Sequence, residues 1–203
     1  MKSTNDKPYD IAQDIKLPSE ETLIETARGM LSKFTASAPV ESKYAPVQHI
    51  LCLIGSGMPV DETTLSQYNP YYIKRTLKRL KNQKLIETAD HSSILTVRGK
   101  RWILKYTLDD LVIAKPAKWD GRWRMIIYDV ARHKATLRNI FRSTIKRLGF
   151  YNVQESVWIH PYPCEKEISF LRDYCGMGGD VVYVIAHKIE NDSAYREFFG
   201  ISS

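Results

Sequence analysis

The sequence predicts an α+β protein of two domains, an N-terminal winged helix-turn-helix domain followed by a ferredoxin-like α/β sandwich. Three observations lead there. A chain of 203 residues exceeds one minimal module and suits two small cores. A helix-rich half ending in a β-prone hairpin gives way near Lys115-Pro116 to alternating strands and helices. Basic residues gather in one stretch rather than along the whole chain.

Residues 1–18 mix charge with Pro8 and Pro18 and read as a flexible arm. Residues 19–43 read as a helix and linker. Ser19 can cap the helix, Glu20, Glu21 and Glu25 suit its positive end, and Leu23, Ala27, Met30, Leu31 and Phe34 make an apolar stripe. The winged helix is expected over 44–115. It begins with a helix from Pro46 through Ile50, Leu51, Leu53 and Ile54, ended by Gly55-Ser56-Gly57, and continues with a short helix from Asp61 to Gln67. Asn69-Pro70 is the strongest helix start in the chain, since asparagine caps free amides and proline fits the first helical position. The helix it opens should run to Lys84. Leu85–Thr88 and Ile94–Val97 then form a hairpin around Ala89-Asp90-His91-Ser92-Ser93, and Gly99-Lys100 leads into a helix carrying Trp102, Ile103, Tyr106 and Leu108.

The sandwich is expected over 116–203. Strands Arg122–Val130 and Asp180–His187 flank an extended segment, Asn152–His160, which completes the ferredoxin-like order if it bends into two strands. Helices Ala135–Leu148, closed by Gly149, and Glu165–Tyr174 separate them.

Net charge is +7, which favours polyanions as partners. No apolar run reaches the roughly 20 residues of a membrane span, and the N-terminus lacks the hydrophobic segment of a secretion signal, so a cytoplasmic protein is expected. Cys52, Cys164 and Cys175 form no CxxC pair and read as small buried hydrophobes, with no structural zinc, disulfide or cofactor expected.

The candidate interface is the helix from Pro70. At 100° per residue Ile73, Leu77 and Leu80 share one face, whereas Tyr71, Arg75, Lys78, Arg79 and Asn82 share the other. Arginine, lysine and asparagine reach guanine and adenine edges in the major groove of duplex DNA, and the cations also neutralise phosphates. Lys74, Lys81, Arg98 and Lys100 extend the set; Tyr72 lies partly toward the apolar side. From Tyr71 to Lys105 ten basic residues face two acidic ones, a net +8 against +7 for the whole chain. A solvated helix face is the plain alternative, but capped helix, apolar stripe and following hairpin agree with one DNA-binding architecture.

Elsewhere the pattern is thinner. His133, His160 and His187 are scattered and read as packing or solvated histidines. Gly176-Met177-Gly178-Gly179 lacks the lysine and helix of a phosphate loop and reads as a turn. Arg138, Arg142 and Lys146 recur every four residues opposite Leu137, Ile140, Phe141, Ile145 and Leu148, as either a second phosphate-contacting stripe or an ordinary solvated face.

The segment Trp119-Asp120-Gly121-Arg122-Trp123-Arg124, the strand ending Tyr128-Asp129, Gly149-Phe150, and Gln154-Glu155-Ser156-Val157-Trp158-Ile159-His160-Pro161 resemble the PaaX family of transcriptional repressors. The resemblance implies a sandwich like the small dimeric protein of CRISPR adaptation systems, and a homodimeric repressor rather than an enzyme. It departs from the family at Val130-Ala131-Arg132, where a proline and an acidic residue are usual, and the chain stops at Ser203, short of the C-terminal region of full-length members. No phenylacetyl-CoA effector is therefore carried over, and any effector is unspecified. The CRISPR-type likeness also implies two alternatives: a magnesium-dependent nuclease using Asp129, or a nucleic-acid-binding scaffold. The favoured reading of Asp129 is the plainer one, a residue that caps a turn or accepts backbone N–H bonds after the strand.

Overall fold

The computed structural model describes residues 17–35, 45–89, 92–131 and 134–201. Most of the expected N-terminal arm, the linker after Thr35, the hairpin-tip residues Asp90 and His91, and Arg132 and His133 lie outside them. The protein is α+β, and its chain divides into two compact units, Met1–Asp110 and Leu111–Ser203.

In the first unit, α1 (Glu20–Thr35) starts where Ser19 Oγ accepts the Thr22 N–H at 3.3 Å. It buries Leu23, Ala27, Met30 and Leu31 along one stripe. That stripe packs on α2 (Ala45–Gly55), whose Ile50, Leu51, Cys52 and Leu53 are almost fully buried. The expected stop holds: Gly57 takes φ +75°, a left-handed value open to glycine at little cost.

Asp61–Gln67 was expected to be a helix and is instead a succession of turns. The cause is local. Asp61 Oδ1 accepts from the Thr63 N–H (3.0 Å), the Thr64 N–H (2.9 Å) and both threonine hydroxyls. These are the bonds a helix cap makes, but the backbone bonds that follow are only Leu65 N–H to Asp61 O at 3.2 Å and Tyr68 N–H to Leu65 O at 2.9 Å, too few to continue a helical ladder.

α3 (Pro70–Asn82) opens as expected, with Asn69 Oδ1 accepting the Tyr71 N–H at 2.9 Å. It ends two residues before the expected Lys84, which sits in the left-handed region at φ +54° while Leu85 N–H returns to Leu80 O at 3.0 Å. Strands β1 (Ile86–Ala89) and β2 (Ser92–Leu95) pair antiparallel, Ile86 opposite Leu95. The second strand stops before Thr96 because that residue caps α4 (Val97–Asp109). Its hydroxyl oxygen accepts the Gly99 N–H at 3.1 Å and donates to Lys84 O at 2.7 Å. Ile103 and Leu104 of α4 complete the core against α1 and α2.

The second unit comprises β3 (Trp123–Tyr128), α5 (Ala135–Arg147), β4 (Tyr151–Gln154), β5 (Val157–His160), α6 (Glu165–Tyr174), β6 (Val181–Ala186) and α7 (Ser193–Phe199). The extended middle segment does bend into two strands, turning at Glu155-Ser156 with an irregularity between Asn152 and Gln154. All strand pairs are antiparallel, in the order β4-β5-β3-β6, which with two crossover helices is the ferredoxin-like arrangement. Ile126 and Tyr128 share one face, where Tyr128 meets Phe141 of α5 edge-on at 5.4 Å. Trp123, Tyr151 and Ile159 lie on the other face, with α7 against Trp123 and Tyr151 through Tyr195, Phe198 and Phe199.

The sequence reading missed α7, although Tyr195, Phe198 and Phe199 recur at helical spacing. Beyond its reach, the cross-strand pair Ile127 and Val182 remains 40% and 55% exposed. No helix among the described residues is long and apolar enough to cross a membrane.

Candidate nucleic-acid interface

α3 divides as its periodicity requires. Leu80 is fully buried and Ile73, Thr76 and Leu77 are half-buried, whereas Tyr71, Tyr72, Lys74, Arg75, Lys78, Arg79, Lys81 and Asn82 are all exposed. Helical geometry places Tyr71, Arg75, Lys78 and Asn82 along the outermost ridge, with Lys74 and Lys81 on one flank and Tyr72 and Arg79 on the other. The first flank is the hairpin side, because Lys81 Nζ donates to Thr88 Oγ1 of β1 at 2.9 Å. Tyr72, whose place toward the apolar side allowed packing, is 59% exposed.

The helix holds five cations and no acidic residue. Only Arg79 and Lys81 lie in the last turn, where the helix dipole itself favours positive charge. Lys74, Arg75 and Lys78 stand outside that turn, so the dipole does not account for them. Arg98 is exposed and Lys100 half-buried in the first turn of α4. The Thr96 hydroxyl ties that turn back to the end of α3 through Lys84 O and Leu85 O.

The conspicuous tryptophan and arginine motif of the second unit is used structurally. Arg124 is 4% exposed. Its guanidinium makes two parallel bonds to Asp120, Nη1 to Oδ1 at 2.7 Å and Nη2 to Oδ2 at 2.5 Å, while Nη1 also donates to Arg122 O and Pro161 O. Trp119 Nε1 donates to Pro161 O as well, Arg196 of α7 lies 4.8 Å over the Trp119 ring, and Trp123 Nε1 donates to Asp192. The Arg124 bond holds the Asp120 carboxyl below its usual pKa. Replacing Arg124 by methionine is expected to cost about 2 kcal/mol, below the value for a fully buried pair because Asp120 keeps contact with water. Lysine should not restore the loss, since an ammonium cannot form the two parallel bonds. Calorimetry on the three proteins checks this.

Asp129 is exposed just past β3, and its backbone N–H donates to Asp180 O at 2.9 Å. The Asp180 carboxylate is paired with Lys134 at 2.6 Å. Among the described residues no group of three or more His, Cys, Asp or Glu is placed to hold a metal ion. His160 is buried and His187 exposed. All three cysteines are buried and outside any disulfide, and burial raises the Cys164 and Cys175 thiols to about 12, which keeps both protonated. The Gly176–Gly179 stretch is a turn, with Gly176 at φ +60° and Arg172 donating to Gly178 O. On α5, Arg142 and Lys146 are exposed and Arg138 half-exposed, opposite buried Phe141 and Ile145.

Residues 116–197 match the family model described as the PaaX protein central Cas2-like domain. A solved structure, the uncharacterized protein Rv0674 from Mycobacterium tuberculosis, is similar at 16% identity with a TM-score of 0.34. The alignment covers 86% of this chain and 65% of that one, so the chain spans less than two thirds of that protein. No curated protein matches the sequence.

Proposed function

We propose that this chain is a DNA-binding transcription regulator, a repressor acting as a homodimer. In this reading the first unit is a winged helix in which α3 enters the major groove, the β1–β2 hairpin is the wing, and Arg98 and Lys100 meet phosphate. The observation that carries it is the outward face of α3, where Tyr71, Arg75, Lys78 and Asn82 line one ridge, Lys74, Lys81 and Arg79 flank it, and no acidic residue intervenes. The match of the second unit to the central domain of the PaaX protein supports a regulatory rather than enzymatic role. The exposed Ile127–Val182 pair, beside the edge of β6 that no other described strand pairs, suits contact with a second copy. Two recognition helices would then meet half-sites related by a two-fold axis.

Selection of duplexes from a random library tests specificity, symmetry and spacing together. On the selected site, Arg75→Ala or Lys78→Ala should each lose roughly 1–3 kcal/mol if the residue contacts a base, and affinity should fall steeply with salt. Random duplex competing as well as the selected site would overturn the reading in favour of a nonspecific scaffold. Sedimentation showing only monomer at micromolar concentration would remove the homodimer.

A further inference from the structure

We infer that Tyr71 and Tyr72 read the 5-methyl group of thymine at the first turn of α3. The inference rests on the DNA-binding reading above and specifies its chemistry. Among the described residues of the first unit these two side chains are the most exposed aromatics, at 68% and 59%. They lean on each other edge to face, with centroids 5.9 Å apart and planes at 72°. The turn that bears them is held by the Asn69 cap and by Pro70 at the first helical position. Large aromatic surface left in water is unfavourable, and a preorganised pair loses little conformational freedom on binding.

The occupant follows from the surroundings. Lys74, Arg75, Lys78 and Arg79 follow directly on the same helix without an acidic residue, so whatever covers the tyrosines is anionic. Residues at the start of a recognition helix are those that contact base edges. The edges exposed in the major groove carry donors and acceptors, and the apolar group among them is the thymine methyl. Tyr71, on the outer ridge, would approach the groove floor, and Tyr72, on the flank away from the hairpin, would reach a neighbouring step.

The test takes the duplex selected by the full chain and replaces its thymines one at a time with deoxyuridine, which removes the methyl and keeps base pairing. At one or two positions affinity should fall about fourfold, the worth of burying a single carbon group. That loss should persist in Tyr71→Phe and Tyr72→Phe and vanish in Tyr71→Ala or Tyr72→Ala. Both residues are exposed, so the variants should fold, which circular dichroism confirms.

Deoxyuridine without effect at every position overturns the inference, as does a loss that is unchanged in the alanine variants. If phenylalanine weakens binding as much as alanine, the phenol is bonding phosphate instead and methyl reading fails. A selected duplex that depends on Arg75 but ignores thymine methyls sinks this inference alone. Failure to select any duplex sinks the DNA-reading assignment with it.

Discussion

Replacing Gly99 by alanine is expected to destabilise the first unit by about 3 kcal/mol, a large share of the stability of so small a core. Gly99 lies in the first turn of α4 and is buried. A Cβ placed there would sit 2.1 Å from the Leu85 carbonyl oxygen and 3.1 Å from Leu95 Cδ2. The first contact is with backbone, so no rotamer change relieves it. The same oxygen accepts the Thr96 N–H at 3.1 Å and the Thr96 hydroxyl at 3.2 Å. Pushing it aside therefore loosens the seam joining α4 to the end of α3 and the base of the hairpin. Helix propensity works the other way, since alanine is favoured over glycine by up to about 1 kcal/mol; the steric term is larger.

Gly29→Ala is the control. An added Cβ there meets nothing within 4 Å, so propensity alone should raise stability by roughly 0.5–1 kcal/mol. Calorimetry on the full chain should show the two variants moving the first unit's transition in opposite directions. A Gly99→Ala protein that melts with the wild type would mean that α4 does not press on Leu85 as described. On the DNA-binding reading, Gly99→Ala should also weaken duplex binding, because the displaced turn carries Arg98 and Lys100.

What the sequence expressed and what it hid divide along physical lines. The helices of the α3 type were legible because a cap, a proline and an apolar stripe are local signals that agree. The same periodicity placed the cations of α3 on its open face, where the structure has them. Asp61–Gln67 misled because Asp61 does accept the Thr63 and Thr64 N–H groups as a helix cap would, yet the backbone ladder stops after Leu65 N–H to Asp61 O and the chain turns instead. Lys84 misled because a left-handed helix stop is expected of glycine, so nothing in a lysine signals it.

The Arg124 staple was hidden for a different reason: Pro161, whose carbonyl both Arg124 and Trp119 bond, arrives beside Asp120 and Arg122 only once β3 and β5 are paired. Tyr72 shows the limit of angular reasoning. Its position about the helix left it on the border between packed and solvated, and tertiary structure leaves that border open. Gly99 is the extreme case, a residue whose necessity lies wholly in one non-local approach.

Acid should weaken the second unit through His160, by about 3 kcal/mol between pH 6.5 and 4. The imidazole is 6% exposed and packed among Phe150, Tyr162 and Phe199, with centroids at 4.9, 5.5 and 5.6 Å. Its Nδ1 accepts the Tyr162 N–H at 3.2 Å, a bond that requires that nitrogen to be unprotonated. Burial, together with the positive charge of Arg124, lowers its pKa from 6.5 to about 4, while the Tyr162 carbonyl, 3.3 Å from Nδ1, opposes the shift. The unfolded chain therefore binds a proton that the folded chain refuses between those two values. Stability is complete above pH 6.5 and declines as the pH falls toward 4, at up to 1.36 kcal/mol per unit. His49 acts in the same direction in the first unit, where burial against Phe34 and Tyr68 also lowers its pKa. Asp120 and Asp192, held low by Arg124 and Arg196, add losses only below about pH 4. His160→Phe keeps an aromatic ring and removes the titration, giving up one hydrogen bond from Tyr162. It should be less stable than the wild type at pH 7 by about 1 kcal/mol, yet more stable at pH 4, so the two curves of denaturation midpoint against pH should cross between. Parallel curves would show that His160 is not the group that titrates.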